Sequence, residues 1–198
     1  MEVTKTRVRG KDVAIAIALA FFAFTLIGDV RVPGLAYVDL GFHELGHLLA
    51  FPLSEVWTAM AGSIFQVGIP FVVAVYFWGS GSQHDNAAAG LCFGWAATAA
   101  SDVARYIADA PIERLPLIGG DHDWAFVLSE LNQMHKAGTY AGFTRLAAWL
   151  MLLGGFALLA QRYLRIGDTP NPGRIGDTPN PGRIGDSPNP GPEWTRQT

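Results

Sequence analysis

The sequence predicts an all-α fold: a polytopic bundle of about five transmembrane helices, a short interfacial helix and a disordered C-terminal tail. Three observations carry that expectation. Half of the 198 residues are hydrophobic, only 16% are charged, and mean hydropathy is +0.24 although the C-terminal stretch is polar. The apolar residues are therefore gathered into segments rather than spread through one globular core. Charge-free runs recur along the chain, and Pro/Gly turns separate them.

The first twelve residues carry Lys5, Arg7, Arg9 and Lys11 against Glu2 and Asp12. The positive-inside rule puts this end in the cytoplasm. Val13 to Gly28 is uncharged and makes the first span by borrowing flanking residues. No clear small-residue cleavage site follows it, so it reads as a retained helix rather than a signal peptide. Arg31-Val32-Pro33-Gly34 forms a turn, and a second helix over about 35–53 stops or kinks at Pro52. Ser54 to Thr58 is a polar link with Trp57 at the interface. Residues 59–78 form a third span with a possible kink at Pro70, and Gln66 is the one large polar side chain well inside it.

Residues 79–85 read as a flexible loop in which His84 is solvated. Asn86 to Ser101 is rich in Ala and Gly, which suits close helix packing in lipid. The helix continues through Asp102, Arg105 and Asp109, spaced for internal ion pairing. Cys92, the single cysteine, reads as a small buried packing residue. After a loop over 110–123, a short interfacial helix is expected from Trp124 to Met134, with Asp121 or Asp123 as its cap. Residues 142–164 make the last span and close the membrane domain, 1–164.

The tail, 165–198, contains three copies of a nine-residue unit, R-I-G-D-[TS]-P-N-P-G. Two prolines and two glycines per unit oppose helix and central strand, so a disordered spacer or a docking segment for a protein partner is expected. A net charge of -3 gives no pull toward nucleic acid.

The chemistry concentrates in His43-Glu44-Leu45-Gly46-His47 on the second helix. Positions i and i+4 share one helix face, so His43 and His47 can grip one cation. Zinc suits two imidazoles, a third protein ligand and one open position for water, and Glu44 is placed to act as general base. The same five residues also arise by chance as packed histidines beside a solvated glutamate. In an apolar helix that alternative buries Glu44 without a partner, which is costly. A histidine could instead ligate a haem or a pigment magnesium, which leaves Glu44 and its other neighbour without a role. Asp39, His43 and His47 form one stripe that must turn from lipid.

Two spans after the motif helix return the chain to the same membrane side. Asp121-His122-Asp123-Trp124 then faces the end of that helix, and Asp123 or His122 becomes the expected third ligand. Spacing does not choose between them. With the N-terminus inside, this side is expected to be cytoplasmic.

The stretch His43-Glu44-Leu45-Gly46-His47-Leu48-Leu49-Ala50 resembles the metal helix of the site-2 protease family of intramembrane zinc metalloproteases. Ala61-Gly62-Ser63-Ile64-Phe65-Gln66 looks like the family's A-G-P-x-x-N stretch, with Ser63 for proline and Gln66 for asparagine. The family's L-D-G motif has no counterpart. Gly119-Gly120-Asp121-His122-Asp123-Trp124 stands there and is similar to the G-G-D-x-H-D-W ending of small, uncharacterised bacterial relatives. The resemblance spans about residues 35–135.

It implies zinc-dependent hydrolysis of peptide bonds in membrane-embedded substrates, in a bacterial inner membrane. Zinc would be held by His43, His47 and Asp123, with His122 as the competing third ligand. Zinc would acidify its water toward a pKa of about 7, and Glu44 would take the proton. Gln66 would bond the substrate backbone or the developing oxyanion, and Asp39 would help orient the imidazoles. The competing class is a non-enzymatic membrane subunit, its histidines binding a structural metal or cofactor and its tail docking a partner.

Overall fold

The computed structural model describes residues 10–79, 85–116 and 121–167, with side chains as far as Gln161; His84 and the repeat tail lie outside them. Within these bounds the regular structure is all helix: α1 Gly10–Gly28, α2 Pro33–Ala50, α3 Glu55–Gly79, α4 Asn86–Asp109, α5 Asp123–Glu130 and α6 Ala137–Gly167, with one 3-10 turn at Met134–Lys136. α1, α3 and the stretch Met134–Gln161 leading through α6 are each long and apolar enough to cross a membrane.

Local chemistry sets the boundaries. α1 ends where Asp29 takes a left-handed conformation (φ 49°) and the Val30 N–H reaches back to the Thr25 carbonyl. That backbone bond is the usual way a helix C-terminus satisfies its last carbonyls. Pro33 begins α2, where its missing N–H costs nothing, and the chain leaves α2 just before Pro52. Asp85 caps α4 by accepting from Ala87 N and Ala88 N. Pro70 sits inside α3 and removes the N–H that would have bonded the Gln66 carbonyl.

α4 is the centre of the bundle. Its small residues let neighbours come to backbone contact: a Cβ at Gly90 would lie 2.7 Å from the Gly155 carbonyl oxygen of α6. A Cβ at Gly94 would lie 2.6 Å from Leu19 of α1. Leu19, Phe22 and Leu26 of α1 pack with Ala97 and Ala100 of α4 and with Ala148 and Leu152 of α6. Such small-residue contacts drive helix association in lipid, where burial of apolar surface alone gives little. Cys92 is half-buried here rather than fully enclosed.

The ends of the helices are marked by polar contacts. Lys11 at the start of α1 pairs with Asp85 at the start of α4. At the other end Asp29, just after α1, pairs with Arg105 of α4 and Arg145 of α6. α1 is therefore parallel to α4. α3 runs opposite to both: Ser63 meets Trp124 beyond the end of α4, Val67 packs near Ile107, and Phe71 meets Phe93. α6 also opposes α4, with Ala141 near Ile107 and Gly155 at Gly90.

Of the five crossings expected, three stretches among the described residues are long and apolar enough to serve, and α2 is not one of them. α2 joins the end of α1 to the start of α3, and both lie where α4 finishes. α2 lies along α3 and reaches as far as Trp95 of α4 through Asp39 and Phe42. Hydropathy explains why it is not a candidate span. On insertion scales Asp39 alone costs about 2.5 to 3.5 kcal/mol at a span centre, and Glu44 adds a comparable amount. Leu35, Val38, Leu40, Phe42, Leu45, Leu48 and Leu49 together return only about 2 to 4 kcal/mol. α4 also carries Asp102, Arg105 and Asp109, but it is wrapped by neighbours rather than lipid, and Asp102 and Asp109 are buried. Arg105 pairs with Asp102, as the spacing suggests. Asp109 instead accepts from Arg114 N and Leu115 N, because the helix ends there and the loop amides are nearer.

Candidate metal centre

α2 and α3 form an antiparallel hairpin whose contact is made by glycines. A Cβ at Gly46 would drive into the Ala61 carbonyl. A Cβ at Gly62 would lie 2.6 Å from both His43 Nε2 and His47 Nε2. The bare backbone of α3 therefore clears the space in front of both rings.

Each imidazole is held from behind. His47 Nδ1 lies 2.8 Å from the Thr58 carbonyl, which can only accept, so Nδ1 carries the proton and the Nε2 lone pair faces inward. The Thr58 hydroxyl in turn donates to the Ala50 carbonyl. His43 Nδ1 lies 3.1 Å from Gln66 Oε1. This is the outward bonding that fixes the orientation of metal-ligating histidines. Gln66 Oε1 therefore faces His43, while Gln66 also lines the cleft where a contact to substrate was expected of it. Asp39 does not orient the rings either: it accepts from Trp95 Nε1 at 2.8 Å.

Asp123, the first residue of α5, completes the group. Its Oδ2 is 2.9 Å from His43 Nε2 and 3.4 Å from His47 Nε2. One ligand atom from each residue falls within 4.8 Å of the others. Bonds of about 2.0 to 2.2 Å at tetrahedral angles put ligand atoms roughly 3.3 Å apart, so this donor set fits zinc.

His122 is adjacent in sequence but serves elsewhere. Its side chain is 1% exposed, and Nδ1 accepts from Ala125 N as the cap of α5. Its Nε2 points toward Asp109 Oδ2 at 3.5 Å. The cap was expected from Asp121 or Asp123, and the helix was expected to run to Met134 rather than end at Glu130.

The triad opens on a cleft of about 740 Å³ between α2 and the end of α4. His43, Glu44, His47 and Gln66 line one side, and Asp102, Tyr106, Asp121 and Asp123 line the other. With four acids against Arg31, the cleft favours cations. Glu44 is exposed to it rather than buried. Two contributors went unforeseen. The Tyr106 hydroxyl touches Asp123, and the Ser63 hydroxyl accepts from Trp124 Nε1 at 2.9 Å, anchoring α5 on α3. Ser63 stands at the proline position of the A-G-P-x-x-N pattern, where proline would offer no such acceptor.

Compared with family models, with curated proteins and with solved structures, the chain matches none.

Proposed function

We propose that the chain is an intramembrane zinc metallopeptidase that hydrolyses peptide bonds of membrane-embedded substrates. The observation that carries this is the convergence of His43 Nε2, His47 Nε2 and the Asp123 carboxylate, both rings being bonded outward through Nδ1. His43, His47 and Asp123 hold the ion. A bound zinc ion supplies Lewis acidity to a water and to the scissile carbonyl. Glu44 borders the same cleft, takes the proton of the attacking water and passes it to the leaving amine. Gln66 and Thr58 keep the imidazoles turned inward.

The proposal includes an arrangement in the membrane. α1, α3, α4 and α6 cross, while α2 enters and leaves on the side where α4 finishes and α5 lies there. The basic residues before α1 and Arg162 and Arg165 at the end of α6 then share one side, which the positive-inside rule makes cytoplasmic. The centre opens toward the opposite face, not the cytoplasmic one expected from five crossings.

The test is metal analysis with peptide cleavage on the purified full chain. Wild type binds about one zinc per chain and cleaves transmembrane peptides. Glu44→Gln keeps the zinc and loses cleavage, whereas a structural metal subunit is indifferent to that change. Wild-type protein without stoichiometric zinc rejects the proposal.

A further inference from the structure

Asp123 is the first residue of α5, next to the N-cap position where aspartate ordinarily folds back on its own helix. The first turn of α5 has unbonded N–H groups, and a carboxylate there competes for them. A carboxylate so engaged would turn away from the histidines. His122 removes the competition by giving its Nδ1 to Ala125 N. Tyr106, from the last turns of α4, then takes Asp123 at two points. Its hydroxyl accepts from Asp123 N at 2.9 Å and lies 3.3 Å from Asp123 Oδ2. One hydroxyl accepts and donates once each in this arrangement, so both functions are used on the same residue. The two rings are stacked, with centroids 4.2 Å apart and planes 25° from parallel. Asp109 closes the unit from behind, 3.5 Å from His122 Nε2, while its oxygens hold the amides of Arg114 and Leu115.

We infer that Tyr106 and His122 are positioning residues for the third metal ligand: Tyr106 fixes the backbone and carboxylate of Asp123, and His122 keeps that carboxylate from capping α5. The inference rests on the metal-centre proposal. It adds that the competence of the site depends on a hydroxyl and an imidazole that are not themselves metal ligands.

Zinc and cobalt(II) binding to the full chain in detergent tests this, with affinity read by chelator competition and geometry by the visible cobalt spectrum. Tyr106→Phe removes one oxygen and keeps the stack. It lowers zinc affinity roughly 10- to 100-fold, the usual effect of losing a group that orients a ligand, and changes the cobalt spectrum. Tyr140→Phe, at a tyrosine whose hydroxyl meets Gln133, changes neither. His122→Ala also weakens binding, and His122→Asn restores most of it because Asn is a good cap. Should Tyr106→Phe fail to fold, the His122 pair decides. Wild-type affinity and spectrum in Tyr106→Phe, or equal affinities in the two His122 variants, overturn the inference. Wild-type protein that binds neither ion overturns the metal centre itself, and the inference with it.

Discussion

Gly62 lies against His43 so closely that a single methyl group at residue 62 would sit 2.6 Å from the ring's Nε2. His47 Nε2 is at the same distance. The atoms that would have to give are ring ends, not backbone. Gly62→Ala should therefore turn the imidazoles, abolish stoichiometric zinc and leave helical content intact. Gly46→Ala is the contrasting case, because there the obstacle is the Ala61 carbonyl. It should destabilise the α2–α3 hairpin by about 1 to 3 kcal/mol, the usual cost of overpacking. Circular dichroism with zinc analysis separates the two; retention of full zinc by Gly62→Ala would contradict the site geometry.

Asp123→Ala should cost zinc far more than His122→Ala. The first change removes a ligand atom, and the second removes a helix cap worth about 1 kcal/mol. Zinc titration of both variants checks the order. The reverse order would make His122 the ligand.

Reporter fusions test the crossings. Fusions at Ser82 and after Arg165 should report the same side as the N-terminus, and a fusion at Leu115 the opposite side. Five crossings would instead put Ser82 across the membrane from the N-terminus.

Asp85 gives a pH dependence outside the membrane. Burial by itself raises its carboxyl, but the Lys11 ammonium and the Ala87 and Ala88 amides outweigh it, so its pKa lies below the usual value. A depressed carboxylate adds stability that is fully present above its unfolded pKa of about 3.9 and is lost as pH falls through the folded value. Asp85→Asn keeps the cap and should flatten thermal stability across that acid range. An unchanged acid slope in the variant would remove Asp85 as its cause.

Much of the candidate metal site was legible from residue types and spacing. The i, i+4 histidines needed only the helix. Asp123 was reached by a parity argument that does not depend on α2: α3 and α4 run in opposite directions and return the chain to its starting end whether or not α2 crosses. The course of α2 was not legible, because an apolar helix carrying four polar groups can lie against a bundle or pass through it. Ion pairs at Lys11 and Asp29 set α1 parallel to α4, and these join residues 74, 76 and 116 positions apart. The role of His122 was hidden for a local reason. Asp is the stronger capping type, so two flanking aspartates drew the assignment. Nothing in the spacing showed that one of them was already engaged by Tyr106.

The proposed four-crossing arrangement bears on biosynthesis. In it α2 has both ends on one face and need not be threaded through the hydrocarbon. Asp39 and Glu44 would then escape the vertical passage that insertion energetics penalise. α2 would instead dock sideways once α3 is in place, because the hairpin contact at Gly46 and Gly62 needs a finished partner. Nascent chains ending before α3 should hold the complete histidine motif yet bind no metal, and competence should be acquired late, when α5 follows α4.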